Sequence, residues 1–159
     1  MLLAVLTVSD RCSRGEAEDT AGPAVAALLC DAWPDSKIAT ALVPDEPDQI
    51  GRRLIDWTAE DARLILTVGG TGLGPRDRTP EATRRILDRE APGIAEAMRL
   101  SGAEKTPMAW LSRGVAGTRD NTLIVNLPGS LRGAQESLTA ILPLLRHGLE
   151  TMAGTEKHL

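Results

Sequence analysis

The sequence predicts a single-domain α/β fold, a three-layer α/β/α sandwich built on a mainly parallel sheet. Three observations carry that prediction. Apolar runs of strand length alternate with segments of helical periodicity. The connections between them are short. The first run, Leu2–Val8, is apolar without alternation, as in a strand covered on both faces.

Leu2–Val8 is therefore the first strand. Thr20–Ala32 follows as a helix with Ala24, Val25, Ala27 and Leu28 on its apolar face. Lys37–Val43 is a second strand, closed by Pro44-Asp45-Glu46-Pro47. Asp48–Ala59 places Ile50, Leu54, Ile55 and Trp57 at near-helical spacing, and Leu64–Val68 is the third strand. Thr79–Glu90 reads as a helix with Thr79 as its N-cap and Pro80 in the first turn. Ala91-Pro92-Gly93 ends it, and Ile94–Leu100 forms another short helix. Residues 101–121 read as irregular apart from a short helix around Pro107–Leu111. Thr122–Leu127 is the last strand, and Pro128-Gly129-Ser130 leads into a C-terminal helix over Leu131–Met152. The domain spans residues 1–153, and 154–159 form a frayed tail.

At 159 residues the chain buries roughly 68–70% of its unfolded surface, enough for one core without a staple. With three Trp but no Tyr or Phe, that core must be Leu, Val, Ile and Ala, with the Trp residues as packing. A net charge of −4 and a pI near 5.2 provide no basic field, which argues against nucleic acid as a partner. Cys12 and Cys30 have no metal-ligand spacing and fit a reduced, cytoplasmic chain. Met1–Val8 lacks a basic leader, and no run approaches the roughly 18 apolar residues of a membrane span, so no membrane association is expected.

The most informative segment is the exit from the third strand. Four glycines, Gly69, Gly70, Gly72 and Gly74, fall within six residues, and Asp77 and Thr79 follow at the start of a helix. Glycines let a bulky anion approach the backbone, and a strand–loop–helix unit of this kind can hold phosphate beside a divalent metal. The Gly-Lys-[Ser/Thr] ending of a P-loop is absent, and Gly70-x-Gly72-x-Gly74 is one residue short of the dinucleotide fingerprint. A plain strand-to-helix turn remains the alternative.

In parallel sheets ligands gather beyond the carboxyl ends of the strands. Four polar clusters lie there: Ser9-Asp10, Pro44-Asp45, Gly69–Asp77 and Asn126–Ser130. Asp77 either serves the helix dipole or holds Mg²⁺ against phosphate oxygens. Asp45 is either a solvated turn carboxylate or a second metal-handling acid. Ser9-Asp10 and Asn126–Ser130 either end their strands or bind phosphate and ribose. Ser112-Arg113 either offers a cation for phosphate or is solvated at the surface. Cys12 and His147 read as bystanders.

Taken together, these blocks resemble the MogA and MoaB family of molybdenum-cofactor biosynthesis proteins and the G domains of gephyrin and its plant counterpart. The resemblance is carried by Leu6-Thr-Val-Ser-Asp10, Val43-Pro-Asp-Glu46, Thr67–Ala82, Thr106-Pro-Met-Ala-Trp-Leu-Ser-Arg113, Gly117-Thr-Arg119, Thr122-Leu-Ile-Val-Asn-Leu-Pro-Gly-Ser130 and Ile141-Leu-Pro-Leu-Leu-Arg-His147, in that order along nearly the whole chain. It implies a homotrimer that transfers AMP from Mg-ATP to the terminal phosphate of molybdopterin, releases pyrophosphate, and makes transient contact with the molybdenum-insertion protein. Carried onto matching positions, Asp77 and Asp45 become the catalytic and Mg²⁺-handling acids. Gly69, Gly70, Thr71 and Gly72 become the phosphate cradle. Ser9, Asp10, Ser112, Arg113, Asn126, Pro128, Gly129 and Ser130 become the rest of the nucleotide and pterin pocket. A phosphate nucleophile is already anionic at neutral pH, so positioning and charge neutralisation suffice and no catalytic His or Cys is needed. A non-catalytic, MoaB-type pterin-binding scaffold is the alternative, and a nucleotide-hydrolysing relative is a third. Arg78 departs from a position often apolar in relatives, and no roles are carried onto Arg11–Gly15.

Overall fold

Leu3 and Val5 pack on one side of the first strand and Ala4 and Leu6 on the other, all four buried. That double burial explains the unbroken apolar run. The computed structural model describes residues 1–155; His158 and most of the predicted tail lie outside the described residues. The elements are β1 (Leu2–Val8), α1 (Asp10–Ser13), α2 (Ala21–Ala32), β2 (Lys37–Val43), α3 (Pro47–Ala59), β3 (Ala62–Val68), α4 (Thr79–Arg84), β4 (Arg89–Glu90), α5 (Pro92–Ala103), a 3-10 turn (Pro107–Leu111), β5 (Ala116–Arg119), β6 (Thr122–Leu127) and α6 (Leu131–Met152).

The six strands form one sheet in the order β2-β1-β3-β6-β5-β4. β2, β1, β3 and β6 are parallel, with Val5 aligned to Thr40 on one side and Leu66 on the other. β5 runs antiparallel to both β6 and β4. One core layer packs Val25, Leu29, Leu138, Ile141 and Leu145 of α2 and α6 against Leu3, Val5, Leu66 and Val125. The other packs Ile50, Leu54 and Trp57 of α3 and Ala82 of α4 against Ala4, Leu6 and Ile65. Each fully buried Leu or Ile contributes about 1.5–3 kcal/mol relative to exposure, so these two layers hold the sheet between them. The three-layer, mainly parallel architecture is as the sequence predicts.

Four local expectations need correction. The helix predicted over Thr79–Glu90 stops at Arg84, because the following backbone pairs with β5: Asp88 N donates to Thr118 O (2.8 Å) and Ala91 N to Ala116 O (2.8 Å). The stretch read as irregular contains that strand. Its Ala-Gly-Thr-Arg sequence is too short and too poor in apolar residues to read as a strand, and its pairing with β4 and β6 makes it one. Thr79 is inside α4 rather than its N-cap, and its hydroxyl donates to Gly69 O at 2.9 Å. Of the Trp residues, Trp57 is core, whereas Trp110 on the 3-10 turn is 56% exposed rather than packed. No helix among the described residues is long and apolar enough to cross a membrane.

Candidate functional site

The strand order turns back between β1 and β3, with β2 beyond one and β6 beyond the other. The chains leaving β1 and β3 diverge there and leave a crevice, the place where parallel sheets take ligands. A cavity of ≈ 270 Å³ occupies it, with Val8 and Val68 among its lining residues. Six of the predicted site residues line it: Ser9, Asp45, Gly69, Gly70, Asp77 and Gly129.

The glycines are needed for close approach. Gly69 has φ +104 and Gly70 φ +68, both in the left-handed region. A Cβ on Gly70 would fall on Thr79 Oγ1 and stand 3.1 Å from Asp45 Oδ1. A Cβ on Gly129 would stand 3.1 Å from Gly69 Cα, so the turns after β3 and β6 touch backbone to backbone. Beyond the cavity floor, Asp77 closes the loop on itself: its Oδ2 accepts from Gly74 N (2.8 Å), and its N donates to Gly74 O (3.1 Å).

Asp45 and Asp10 are joined reciprocally. Asp10 N donates to Asp45 Oδ2 (2.9 Å), and Asp45 N donates to Asp10 Oδ1 (3.0 Å). Arg76 straps this pair to the Gly loop, donating to Asp10 Oδ2 (3.0 Å) and Oδ1 (3.2 Å) and to Glu46 Oε1 (2.7 Å). The electrostatics separate the two acids. The Arg76 hydrogen bond, helped by Asp45 N–H, holds the Asp10 carboxyl below the usual carboxylate range. Burial pushes Asp45 up, and the charges of Asp10 and Asp77 add to the rise against the opposing Asp10 N–H bond. Asp45 is thus a carboxylate short of positive charge.

No group of three or more His, Cys, Asp or Glu among the described residues is arranged to hold a metal. A complete protein cage is not what Mg²⁺ requires, since one or two carboxylates plus substrate phosphates complete its shell. Asp45 and Asp77, two hard oxygen donors on one glycine-floored cavity, fit that use.

The remaining predicted residues divide. Ser112, Pro128 and Ser130 line an adjoining, mostly apolar cavity of ≈ 230 Å³ with Met98, Met108 and Ala109. Gly129 lines the first cavity and its two neighbours the second, so the turn after β6 is the wall between them. Ser130 also caps α6 by accepting from Gly133 N (3.1 Å). Thr71 and Gly72 line neither cavity. Asn126 is 1% exposed: its Oδ1 accepts from Val115 N (3.1 Å), and its Nδ2 donates to Thr67 and Thr83 Oγ1 (both 2.9 Å). Its side chain is a core tie between β3, β6 and α4, not a ligand-facing group. Arg113 directs its guanidinium at the Gly loop and Glu81.

Several cavity residues escape the sequence reading. Asp19 accepts from Thr7 Oγ1 (2.6 Å) and from Gly22 N (2.9 Å), fixing the start of α2 at the cavity wall. An Asp three residues before a helical Gly is a capping signal that could have revealed it. Cys12, read as a bystander, also lines the cavity, one turn after Ser9, whose Oγ accepts from Cys12 N (3.2 Å). Arg76 lies inside the resemblance motif, but nothing in the sequence shows that it reaches two other loops.

Comparison with known proteins places this arrangement. The family described as "Probable molybdopterin binding domain" matches residues 4–147. The chain is 42% identical over 146 residues to the molybdenum cofactor synthesis protein cinnamon of Drosophila melanogaster, covering 91% of this chain and 24% of that protein. It is 37% identical over 154 residues to the molybdopterin adenylyltransferase of Helicobacter pylori strain J99, covering 96% of this chain and 88% of that one. The crystal structure of the molybdopterin biosynthesis enzyme MoaB from Thermus thermophilus superposes with a TM-score of 0.87 at 55% identity, over 96% of both chains. Against three of the curated relatives, cinnamon among them, the chain spans only 22% to 47% of the relative's length. With the whole fold and residues 4–147 matched, the chain belongs to the molybdopterin-binding domain family of molybdenum-cofactor biosynthesis.

Proposed function

We propose that this protein is a molybdopterin adenylyltransferase, moving AMP from Mg-ATP to the terminal phosphate of molybdopterin with release of pyrophosphate. The observation that carries this reading is the pair Asp45 and Asp77 on one cavity floored by Gly69 and Gly70. The name of the Helicobacter pylori relative supports it, since this chain covers 88% of that protein. Further parts of the proposal are a homotrimer, a cytoplasmic setting consistent with the free thiols of Cys12 and Cys30, and a transient hand-over to a molybdenum-insertion protein.

In the reaction, an oxygen of the pterin's terminal phosphate attacks the α-phosphorus of ATP. A new phosphorus–oxygen bond forms, the bond from the α-phosphorus to its bridging oxygen breaks, and pyrophosphate leaves with that oxygen. Asp45 and Asp77 would hold Mg²⁺, which supplies charge neutralisation on the phosphates. The backbone at Gly69 and Gly70 admits the phosphate chain without Cβ obstruction. Gly129 and its two neighbours form the wall that the two cavities share, so the adjoining apolar cavity with Ser112 and Ser130 would receive the second substrate's ring system. No side chain need take a proton, because the attacking phosphate is anionic.

Incubating the protein with molybdopterin and Mg-ATP tests the proposal: adenylylated pterin and pyrophosphate form in equal amounts. A second reading, pterin binding without transfer, draws on the MoaB name of the 55%-identical structure. Tight pterin binding with no adenylylated product under those conditions would establish it instead.

A further inference from the structure

We infer that Arg113 and Glu81 form a clamp that sets the position of Asp77, and that neither is a phosphate ligand. The inference deepens the proposed adenylyl transfer by naming the residues that position one of its acids.

Arg113 makes four contacts with a single segment. Its N donates to Thr71 O (2.9 Å), its Nε to Gly72 O (2.8 Å), its Nη2 to Asp77 O (2.8 Å), and its Nη1 to Glu81 Oε1. Gly72 and Asp77 are the two ends of the Gly loop's outer turn, which the Gly74–Asp77 bonds close from inside. One guanidinium therefore ties both ends of that turn to the first turn of α4. Three separate guanidinium nitrogens do this from one rigid plane, a spread of donors that the single nitrogen of an ammonium does not have.

The clamp is backed on the Arg113 side, and at its other end Arg113 is the partner that satisfies Glu81. Behind Arg113, the Arg99 Nη1 donates to Ser112 O (3.2 Å) and Gly114 O (3.1 Å), fixing the segment that carries it to α5. On the other side, Glu81 Oε2 is buried with no hydrogen-bond partner among the described residues. Burial works against the Glu81 charge, and the Arg113 hydrogen bond, with further help from the backbone, more than offsets it, leaving the carboxyl below the usual range. Each member holds the other in place. Neither side chain lines the cavity shared by Asp45 and Asp77.

Two variants of the full chain test this, Arg113→Lys and Glu81→Gln, the second being nearly isosteric and the safer for folding. The first readout is amide hydrogen exchange over residues 72–78 in the ligand-free protein. The clamp requires exchange there to be about tenfold faster or more, with α2 and α6 at wild-type rates, as for a local opening. The second is the split of kcat from KM. Arg113→Lys lowers kcat between about 10- and 100-fold, the cost of misplacing a reacting group, with KM for the pterin unchanged. The third is a double-mutant cycle: with Asp77→Ala already present, Arg113→Lys causes no further loss. Wild-type exchange in both variants overturns the clamp, and fully additive losses overturn its action through Asp77. If the wild-type protein transfers no AMP, the proposed function fails, while the exchange result still decides the clamp.

Discussion

Asp45 is the residue where stability and function oppose each other. Its carboxyl is raised by burial first and then by the neighbouring charges of Asp10 and Asp77. A carboxyl whose folded pKa is raised stabilises the fold below its unfolded pKa, and that stabilisation is lost as pH rises through the folded pKa. At neutral pH the ionised Asp45 is therefore a liability that a counter-cation would relieve. Asp45→Asn should melt no lower than wild type at pH 7, with the difference shrinking on acidification, while transfer falls by at least about 100-fold. Melting curves at several pH values, read beside turnover, check both halves. Asp10 behaves oppositely, its carboxyl lowered chiefly by the Arg76 hydrogen bond, so its stabilisation is present above the unfolded pKa and fades as pH falls through the folded one. Arg76→Ala should return the Asp10 titration toward an ordinary carboxylate value, as followed by NMR of the side-chain carboxyl carbon.

At the scale of elements, the site depends on ties the sequence half reveals. Asn126→Ala would leave Val115 N and the Thr67 and Thr83 hydroxyls without their partner inside the core. An unsatisfied buried group costs about 1–3 kcal/mol, so a loss of about 2–4 kcal/mol is expected in denaturant unfolding. Gly70→Ala should loosen α4 from the loop, because the added methyl meets Thr79 Oγ1 where that hydroxyl bonds Gly69 O. Faster amide exchange at the start of α4 would report it. β1, β3 and β6 are legible because burial on both faces writes itself as nearly unbroken apolar runs, whereas β2, half exposed at the sheet edge, is the weaker pattern. β4 and β5 are not legible, since Arg89-Glu90 and Ala116–Arg119 become strands through each other and β6. The Asp120-Asn121 pair, with Asp120 at φ +48, joins β5 to β6 in a two-residue hairpin turn, but it lacks the glycine that would have marked the turn in the sequence. For the site, loop glycines and acids at strand ends could be read from spacing. Asn126 could not, because a strand-end amide can face a cavity or the core equally well, and Thr67 and Thr83 decide it only after folding.

The whole molecule gathers residues from four loops into one crevice because the sheet turns back between β1 and β3. Ser9 follows β1, Asp45 follows β2, Gly69, Gly70 and Asp77 follow β3, and Gly129 follows β6. In the proposed phosphate transfer, that convergence would supply positioning and charge neutralisation without a side chain that takes a proton. At this scale the proposed trimer is checked by sedimentation, where a species of three chains is expected and a monomer would remove that part of the proposal. The central claim, that this crevice transfers AMP, is tested most directly by comparing wild type with Asp77→Ala at saturating molybdopterin and Mg-ATP. Adenylylated pterin should accumulate with the wild type and at least about 100-fold more slowly with a variant that melts normally. Equal rates in the two proteins, or no adenylylated pterin from either, would contradict it.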